Sequence, residues 1–489
     1  MTTLAADGRY RRMRATKSVA SLSGWLLADR WLLAVIATSS VAAGLFAGFA
    51  IARHRTYNSM AMDFAFFDQI VWNTSEGRWF ETSFVPYNFN GQHVEPILLL
   101  FAALYRLTPA PEWLLVIQAV AVGSAAVALY LLARERLRRG WLAALVAGSF
   151  LLSPTLHSAL VFDYHSEVMA SLFVFSGLAL LFRGRSRAGL ALLLCTLLLK
   201  EDAALLLLGL ALPLWLASFR RQAANVAGAG LFWIVVVVAL VMPAIRGGES
   251  DLDARYAHLG SGASGIAGGI LEDPAGAASY ATGRRQLTAT VKFLLTQGGL
   301  PLAAPLVLAS ALPVATLQFL SNHPPQQALR LQYGVQVLPL ILFATVEGLR
   351  RIERLRSRSD LLIRMAAVAL VCGMVAGVAR PELRALPNHL DAYSTGMSQQ
   401  VAIERAFLRI PPEAGVSAQS GLAAHLSQRE RIWEFPVLAD AEYVVLDLDG
   451  AVARPYWDVY DADVAALLDH GYRLVWQERT VRVYQKELP

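Results

Sequence analysis

Five short stretches of the chain concentrate side chains that can move protons, hold cations or bind phosphate. The first is Met62-Asp63-Phe64-Ala65-Phe66-Phe67-Asp68-Gln69. A carboxylate at Asp63 can take a proton from a hydroxyl as a general base. It can equally cap the helix that the aromatic residues begin, because Asp is a favoured N-cap. Asp68 falls five positions later, on another face of that helix. It is the weaker base and a candidate substrate contact. The second stretch, Gly91-Gln92-His93-Val94-Glu95-Pro96, offers His93 and Glu95 as further contacts. In the third, Phe162-Asp163-Tyr164-His165-Ser166-Glu167, alternate spacing in an extended loop points Asp163, His165 and Glu167 to one side. Imidazole plus carboxylates is a donor set for a divalent cation such as Mg or Mn. Helix capping and loop hydrogen bonds are the structural alternative. The fourth is Lys200-Glu201-Asp202, between two apolar runs. Three charges there must face water or a protein cavity. Lys200 can pair with Glu201 or Asp202, or meet a lipid phosphate as a point charge. The fifth is Asn322-His323-Pro324 with Arg330 and Tyr333. Arg330 suits a phosphate, and Tyr333 a sugar or headgroup.

Two other chemistries are set aside. Val444-Val445-Leu446-Asp447-Leu448-Asp449-Gly450 looks like the nucleophile strand of haloacid-dehalogenase-type phosphatases. That fold needs far more chain after its first strand than this sequence has left, and later Lys and Asp motifs that are not found. No glycine-rich phosphate loop ending in Gly-Lys-Ser/Thr is found, so no ATP-driven pump is indicated.

Long apolar blocks separate the five stretches, and those blocks must position them. Hydrophobic residues make up 56% of the 489 residues and charged residues 16%. Soluble domains carry about 25% charge. Mean hydropathy is +0.45. A soluble enzyme of this size, a disordered chain and a coiled coil are excluded. The expected class is an α-helical polytopic membrane protein. Spans are expected at 31–51, 112–133, 141–160, 167–183, 188–199, 203–219, 226–244, 286–299, 301–319, 330–349 and 361–379. These make about eleven spans, of which 188–199 and 286–299 are short for a bilayer. The net charge of +6 comes largely from arginines that flank apolar blocks. Topology explains them better than nucleic-acid binding does. Arginines at 9–14, 134–139, 183–187, 220–221 and 350–358 place the N-terminus in the cytoplasm and segments 53–111, 157–166, 245–285 and 321–329 outside. Phe64, Phe67 and Val71 recur at helical spacing, which suits a helix lying in the membrane interface. Residues 1–379 therefore read as the transmembrane domain, with 53–111 its long outer loop. Residues 380–489 are polar and read as a small soluble α/β domain outside, with strands at 444–448, 473–476 and 481–484 and a helix at 464–468. Cys195 and Cys372 both lie in apolar blocks and form no disulfide framework or zinc spacing.

The stretches from Asp63 to Asn73, Gly91 to Leu98, Phe162 to Glu167 and Lys200 to Asp202 occur in the order found in a family of bacterial predicted membrane proteins assigned to the GT-C glycosyltransferase superfamily. The chain resembles that family over roughly its first 350 residues and, less specifically, over its tail. The resemblance implies a multispan protein of the bacterial plasma (inner) membrane with its active site on the outer face. The implied donor is a polyprenyl-phosphate sugar, and the implied acceptor a cell-envelope glycan, lipid or protein. A catalytic carboxylate soon after the first span corresponds to Asp63, and an acidic residue of a second outer loop to Asp163 or Glu167. Some superfamily members need a divalent cation. The expected reaction is attack of an acceptor hydroxyl on the anomeric carbon, with Asp63 as base and Lys200 and Arg330 near the leaving phosphate. The alternatives are a transporter or flippase of a lipid-linked sugar that uses the same cavity without a base, and a structural subunit whose tail scaffolds an envelope complex. No internal repeat of the transporter kind is found.

Overall fold

The structure, a computed structural model, describes residues 29–248, 253–355, 359–379, 395–448 and 460–487. The basic residues at 9–17, Arg356, Arg358 and the Asp449-Gly450 pair fall outside them.

Among the described residues four helices are long and apolar enough to cross a membrane: Arg30–Arg55, Glu112–Arg136, Arg220–Arg246 and Asp360–Val378. Two further pairs, Gly140–Leu151 with Pro154–Leu160 and Pro324–Gly334 with Leu338–Glu353, bend by 43° and 73° at short breaks. Counting each bent pair as one span gives six. The expectation of about eleven spans is therefore corrected. The apolar runs at 167–183, 188–199, 203–219 and 301–319 become Ser166–Phe182, Ser186–Leu198, Ala203–Leu216 and Pro305–Leu320, each of 10–17 residues. At about 1.5 Å per residue even a 17-residue helix reaches roughly 26 Å, short of a hydrocarbon core of about 30 Å. The run at 286–299 becomes the 13-residue helix Arg284–Thr296, which opens with two arginines. Hydropathy averages across prolines and charged turns, so it cannot see where a helix stops.

The helix layer has two chemically distinct ends. At one end Asp29 caps the first long helix, accepting from the N–H groups of Trp31 and Leu32 at 3.1 and 3.3 Å. The Tyr130 hydroxyl donates to the same carboxylate at 2.7 Å. Nearby basic clusters are neutralised by buried acids. Arg136 and Arg350 pair with Glu347 at 2.5 and 2.9 Å, and Arg183 with Glu135 at 2.9 Å. At the opposite end Arg55 meets Glu112 at 3.3 Å, and Arg53 pairs with Asp163. The five stretches of chemically competent residues gather toward this second end.

The helix Phe66–Ser75 does not lie on a membrane surface. Nine of its ten residues are buried, the polar Asp68, Gln69 and Asn73 among them. It is sandwiched between the helix layer and the C-terminal region, where Gln69 Nε2 donates to the carbonyls of Arg429 and Glu430 at 3.0 and 3.1 Å. That buried polar face separates it from an interfacial amphipath. The outward surface of this loop is instead the short helix Leu98–Tyr105, with Leu100 and the following Leu107 exposed.

The C-terminal region carries a five-stranded sheet: β1 (Val416–Ala418), β2 (Ile432–Glu434), β3 (Tyr443–Asp447), β4 (Tyr472–Glu478) and β5 (Val481–Lys486). The order is β2-β1-β3-β5-β4. The first three strands run parallel, and β5 is antiparallel to both β3 and β4. The three strands expected from sequence are β3, β4 and β5. The expected helix at 464–468 begins earlier, as Tyr460–Ala465. β1 and β2 have three residues each, too few to display alternation. Asp447, of the phosphatase-like motif, is buried and accepts from Gln399 Nε2 and Thr480 Oγ1, both at 2.8 Å. It is a strand-end anchor.

Candidate functional site

The first long helix ends in Arg53-His54-Arg55, and the chain then turns through Tyr57 at φ 61°. A π-helical turn, Ala61–Ala65, follows and carries Asp63. Such turns insert one residue into a helix and recur at functional sites. Asp63 caps nothing: no side-chain cap bond is made at this turn or at the helix after it. Its side chain is 24% exposed, and Oδ1 stands 3.4 Å from Nε2 of His165, whose own side chain is 4% exposed. His165 is fixed by its N–H, which donates to Gln118 Oε1 at 2.8 Å, and by stacking on Phe162. An accessible carboxylate held against an imidazole can accept a proton from a hydroxyl.

Asp163 does different work. Arg53 donates to its Oδ1, and the Met60 N–H donates to Oδ2 at 2.8 Å. Its backbone is left-handed, φ 69°, a conformation Asp tolerates better than most residues. Buried, with both oxygens engaged, it ties the 162–167 segment to the end of the first long helix. It thereby sets where the Asp63 turn begins.

The Lys200-Glu201-Asp202 turn forms a second, deeper cluster. Lys200 Nζ lies 3.1 Å from Glu167 Oε1. Glu201 accepts from the Val94 N–H at 3.1 Å and pairs with His93 Nδ1 at 2.9 Å. Gln336 Nε2 donates to Asp202 Oδ1 at 2.6 Å. Glu95 is fully buried, and neither of its carboxylate oxygens has a hydrogen-bond partner. The Ser166 hydroxyl gives its proton to the Leu199 carbonyl at 2.5 Å. Burial pushes Glu95 well above the usual carboxyl range, with Lys200 opposing and Glu167 reinforcing. Burial likewise raises Asp202, to about 7. Lys200 itself would be pulled down by burial, but Glu167, Asp202, Glu201 and Glu95 together hold it well above an ordinary lysine. Burial also works against the charge on Glu201, and His93 overcomes it and keeps Glu201 ionised. The cluster is thus one lysine among four acids, two of which favour the protonated form.

The fifth stretch packs on Arg255 and Tyr256. His323 meets the Tyr333 ring edge-on at 5.7 Å. Arg255 donates to the Tyr333 hydroxyl at 3.1 Å and sits over that ring. The Tyr256 hydroxyl accepts from Gln326 at 2.8 Å. Arg330 is exposed at the edge of this group. Asp68 stands apart from all of these residues. It is buried, accepting from Tyr105 Oη and Ser427 Oγ at 2.7 Å each, and from Gln428 at 3.3 Å. Burial pushes it up to about 6 against those hydrogen bonds. It pins the C-terminal region to the 53–111 segment.

The structure therefore brings Asp63, Asp163 and His165 together around Arg53 and Gln118, and Glu167, Lys200, Glu201 and His93 together, with Glu95 buried among them. Asp202 is held by Gln336, while His323, Tyr333 and Arg255 form a group of their own. The expected metal set is not formed. Asp163 is turned to Arg53, His165 to Asp63 and Glu167 to Lys200, so the three do not converge. Among the described residues no group of three or more His, Cys, Asp or Glu side chains could hold a metal ion. Sequence reasoning missed Arg53, Gln118, Arg255 and Gln336. Gln118 carried a usable signal, a lone amide inside an apolar span. Arg53 lies in the Arg53-His54-Arg55 run at the end of the first apolar block.

These features define a multi-pass α-helical membrane protein with a polar, partly buried site at one end of its helix layer. The chain belongs to the family described as Predicted membrane protein (DUF2079), which matches residues 53–473. A search of curated proteins finds no match.

Proposed function

We propose that the protein is a membrane glycosyltransferase of the GT-C kind. It moves a sugar from a polyprenyl-phosphate donor to a cell-envelope glycan, lipid or protein on the outer face of a bacterial plasma membrane. The observation that carries this reading is the partly exposed Asp63 carboxylate, freed from capping and set against His165. Asp63 takes the proton of an acceptor hydroxyl as its oxygen attacks the anomeric carbon. The bond from that carbon to the phosphate oxygen breaks, and the lipid phosphate leaves with the electron pair. Arg255 and Arg330 supply positive charge beside the Tyr333 ring, where a headgroup can stack. Lys200 is engaged by Glu167 and contributes to the field from below. Asp163 acts by positioning. The His, Asp and Glu donors make no cation site, and no step runs through a metal.

The orientation belongs to the same proposal. The arginine-rich end, with Arg134, Arg136, Arg139 and Arg183, faces the cytoplasm by the positive-inside rule, and the site and C-terminal region face out. Alkaline phosphatase fused to the C-terminal region should be active. A reporter active only in the cytoplasm at that position would reverse the orientation and exclude an outer-face site. The reaction itself is tested by cleavage of the donor in proteoliposomes, as set out at the close of the Discussion.

A further inference from the structure

Two imidazoles lie face to face where the first long helix meets the C-terminal region. The rings of His54 and His425 are stacked, 4.2 Å between centroids and 6° from parallel. His425 Nε2 stands 2.7 Å from the His54 carbonyl oxygen. A carbonyl can only accept, so Nε2 carries the proton and donates, and Nδ1 is bare while His425 is neutral. The Tyr57 ring packs on His425 at 4.3 Å, and the Phe64 ring on His54 at 4.6 Å. His54 is buried, whereas His425 keeps part of its surface at the solvent.

His425 belongs to helix Ser420–Leu426, and the other end of that helix holds the turn that carries Asp63. A Cβ placed on Gly421 would stand 2.2 Å from the Tyr57 carbonyl oxygen, so only glycine permits this approach. Ser420 Oγ accepts from the N–H of Ala61, the first residue of the turn, at 2.9 Å.

Among the described residues no carboxylate pairs with either ring. Beside His54, Arg53 is paired with Asp163 and Arg55 with Glu112. Asp63 faces His165. Helix Met397–Phe407, whose Phe407 meets Tyr57 edge-on at 6.1 Å, carries Glu404 and Arg405, and Arg405 pairs with Glu478. Glu434 lies on β2, which packs against helix Ser420–Leu426. Burial pushes His425 down to about 4, against the pull of the His54 carbonyl and of Glu112. Asp68, which Ser427 bonds just beyond the helix, responds the other way. Burial pushes it up to about 6, so that anchor tightens as pH falls.

We propose that the His54–His425 stack is an acid-sensitive latch: a proton on His425 releases helix Ser420–Leu426 from the turn that carries Asp63, while the C-terminal region stays anchored at Asp68. An imidazolium held against a second ring forfeits hydration that it regains once released. The released ring titrates near about 6.5, the ordinary value. The docked form therefore binds fewer protons. The latch is fully closed above about pH 6.5 and weakens as pH falls toward about 4. From about pH 7.5 to about pH 5.5 one such histidine moves the equilibrium about tenfold toward release. On the outward face proposed above, the latch answers to the medium outside the membrane.

The experiment uses the full chain in lipid nanodiscs. Hydrogen–deuterium exchange is followed in peptides covering residues 60–65 and corrected for the intrinsic pH dependence of exchange. Protection at Ala61 should fall about tenfold from about pH 7.5 to about pH 5.5 and recover on return, while residues 66–75 and β3 keep theirs. His425→Gln can still donate to the His54 carbonyl but takes up no proton, so its protection should stay within about twofold across that range. If His425→Gln already exchanges freely at neutral pH, His425→Phe decides by the same criterion, because it keeps a ring between His54 and Tyr57. Three results would overturn the proposal: unchanged wild-type protection in acid, a tenfold fall that persists in the variant, or an equal loss in β3, which marks general acid unfolding. Exchange reads docking and not turnover, so the latch stands or falls separately from the role of Asp63 as base.

Discussion

Asp63→Asn should lower sugar transfer from a polyprenyl-phosphate donor by about 10²–10⁴-fold, the range that a positioned general base contributes. Asn keeps the size of Asp and its ability to accept a hydrogen bond, so the turn Ala61–Ala65 and its neighbours should stay folded. What is lost is the capacity to take a proton. The competing structural role, a helix cap, would predict almost no effect, because Asn caps about as well as Asp. That role is already absent, since Asp63 caps neither turn nor helix. The measurement is steady-state transfer in membranes at matched expression, with donor binding followed separately. Turnover near the wild-type rate would remove Asp63 from the mechanism.

The second large effect is on stability. Lys200→Met should destabilise the protein by about 3–5 kcal/mol, the usual cost of stripping one partner from a buried ion pair. The methionine fills much of the lysine's volume, but Glu167 loses its cation and Glu201 and Asp202 lose a shared neighbour. Glu95→Gln should behave in the opposite way. Burial already favours the neutral acid at Glu95, and its oxygens accept no hydrogen bond, so a neutral isostere should cost less than about 1.5 kcal/mol, as volume-conserving swaps do. Equilibrium unfolding in detergent checks both. If Glu95→Gln proves as damaging as Lys200→Met, then Glu95 is ionised and is itself a principal partner of Lys200.

Sequence patterns picked out the polar residues that gather at one end of the helix layer more readily than the architecture around them. Asp63, His165, Lys200 and Glu201 stand out because charges and histidines at the ends of apolar runs are expensive and must find partners. Which partner each finds is decided by folding. Alternate spacing put Asp163, His165 and Glu167 on one side of an extended loop. The loop is not extended throughout: Asp163 has φ 69° and Ser166–Met169 is a short 3-10 turn, so the three side chains diverge. The span count went astray for a related reason. A run such as 203–219 is uniformly apolar, yet it is bounded by the Lys200-Glu201-Asp202 turn and has Pro213 inside, and the helix has only 14 residues. The long helices Arg30–Arg55 and Glu112–Arg136 were readable because nothing interrupts them. The seating of the C-terminal region on the 53–111 segment could not be read at all. The contacts from Ser420 to Ala61 and from Ser427 to Asp68 are made by ordinary polar residues far apart in the chain.

The central claim is that a bond between sugar and lipid phosphate is broken at this site. The most direct test reconstitutes the full chain in liposomes with a polyprenyl-phosphate hexose radiolabelled in the sugar, adds a crude envelope extract as acceptor, and follows label and lipid separately. Glycosyl transfer predicts that the label leaves the lipid, that free polyprenyl phosphate appears in equal amount, and that both events are lost with Asp63→Asn. Intact lipid-linked sugar that merely changes leaflet, at the same rate with or without Asp63, would contradict the account and make the protein a carrier.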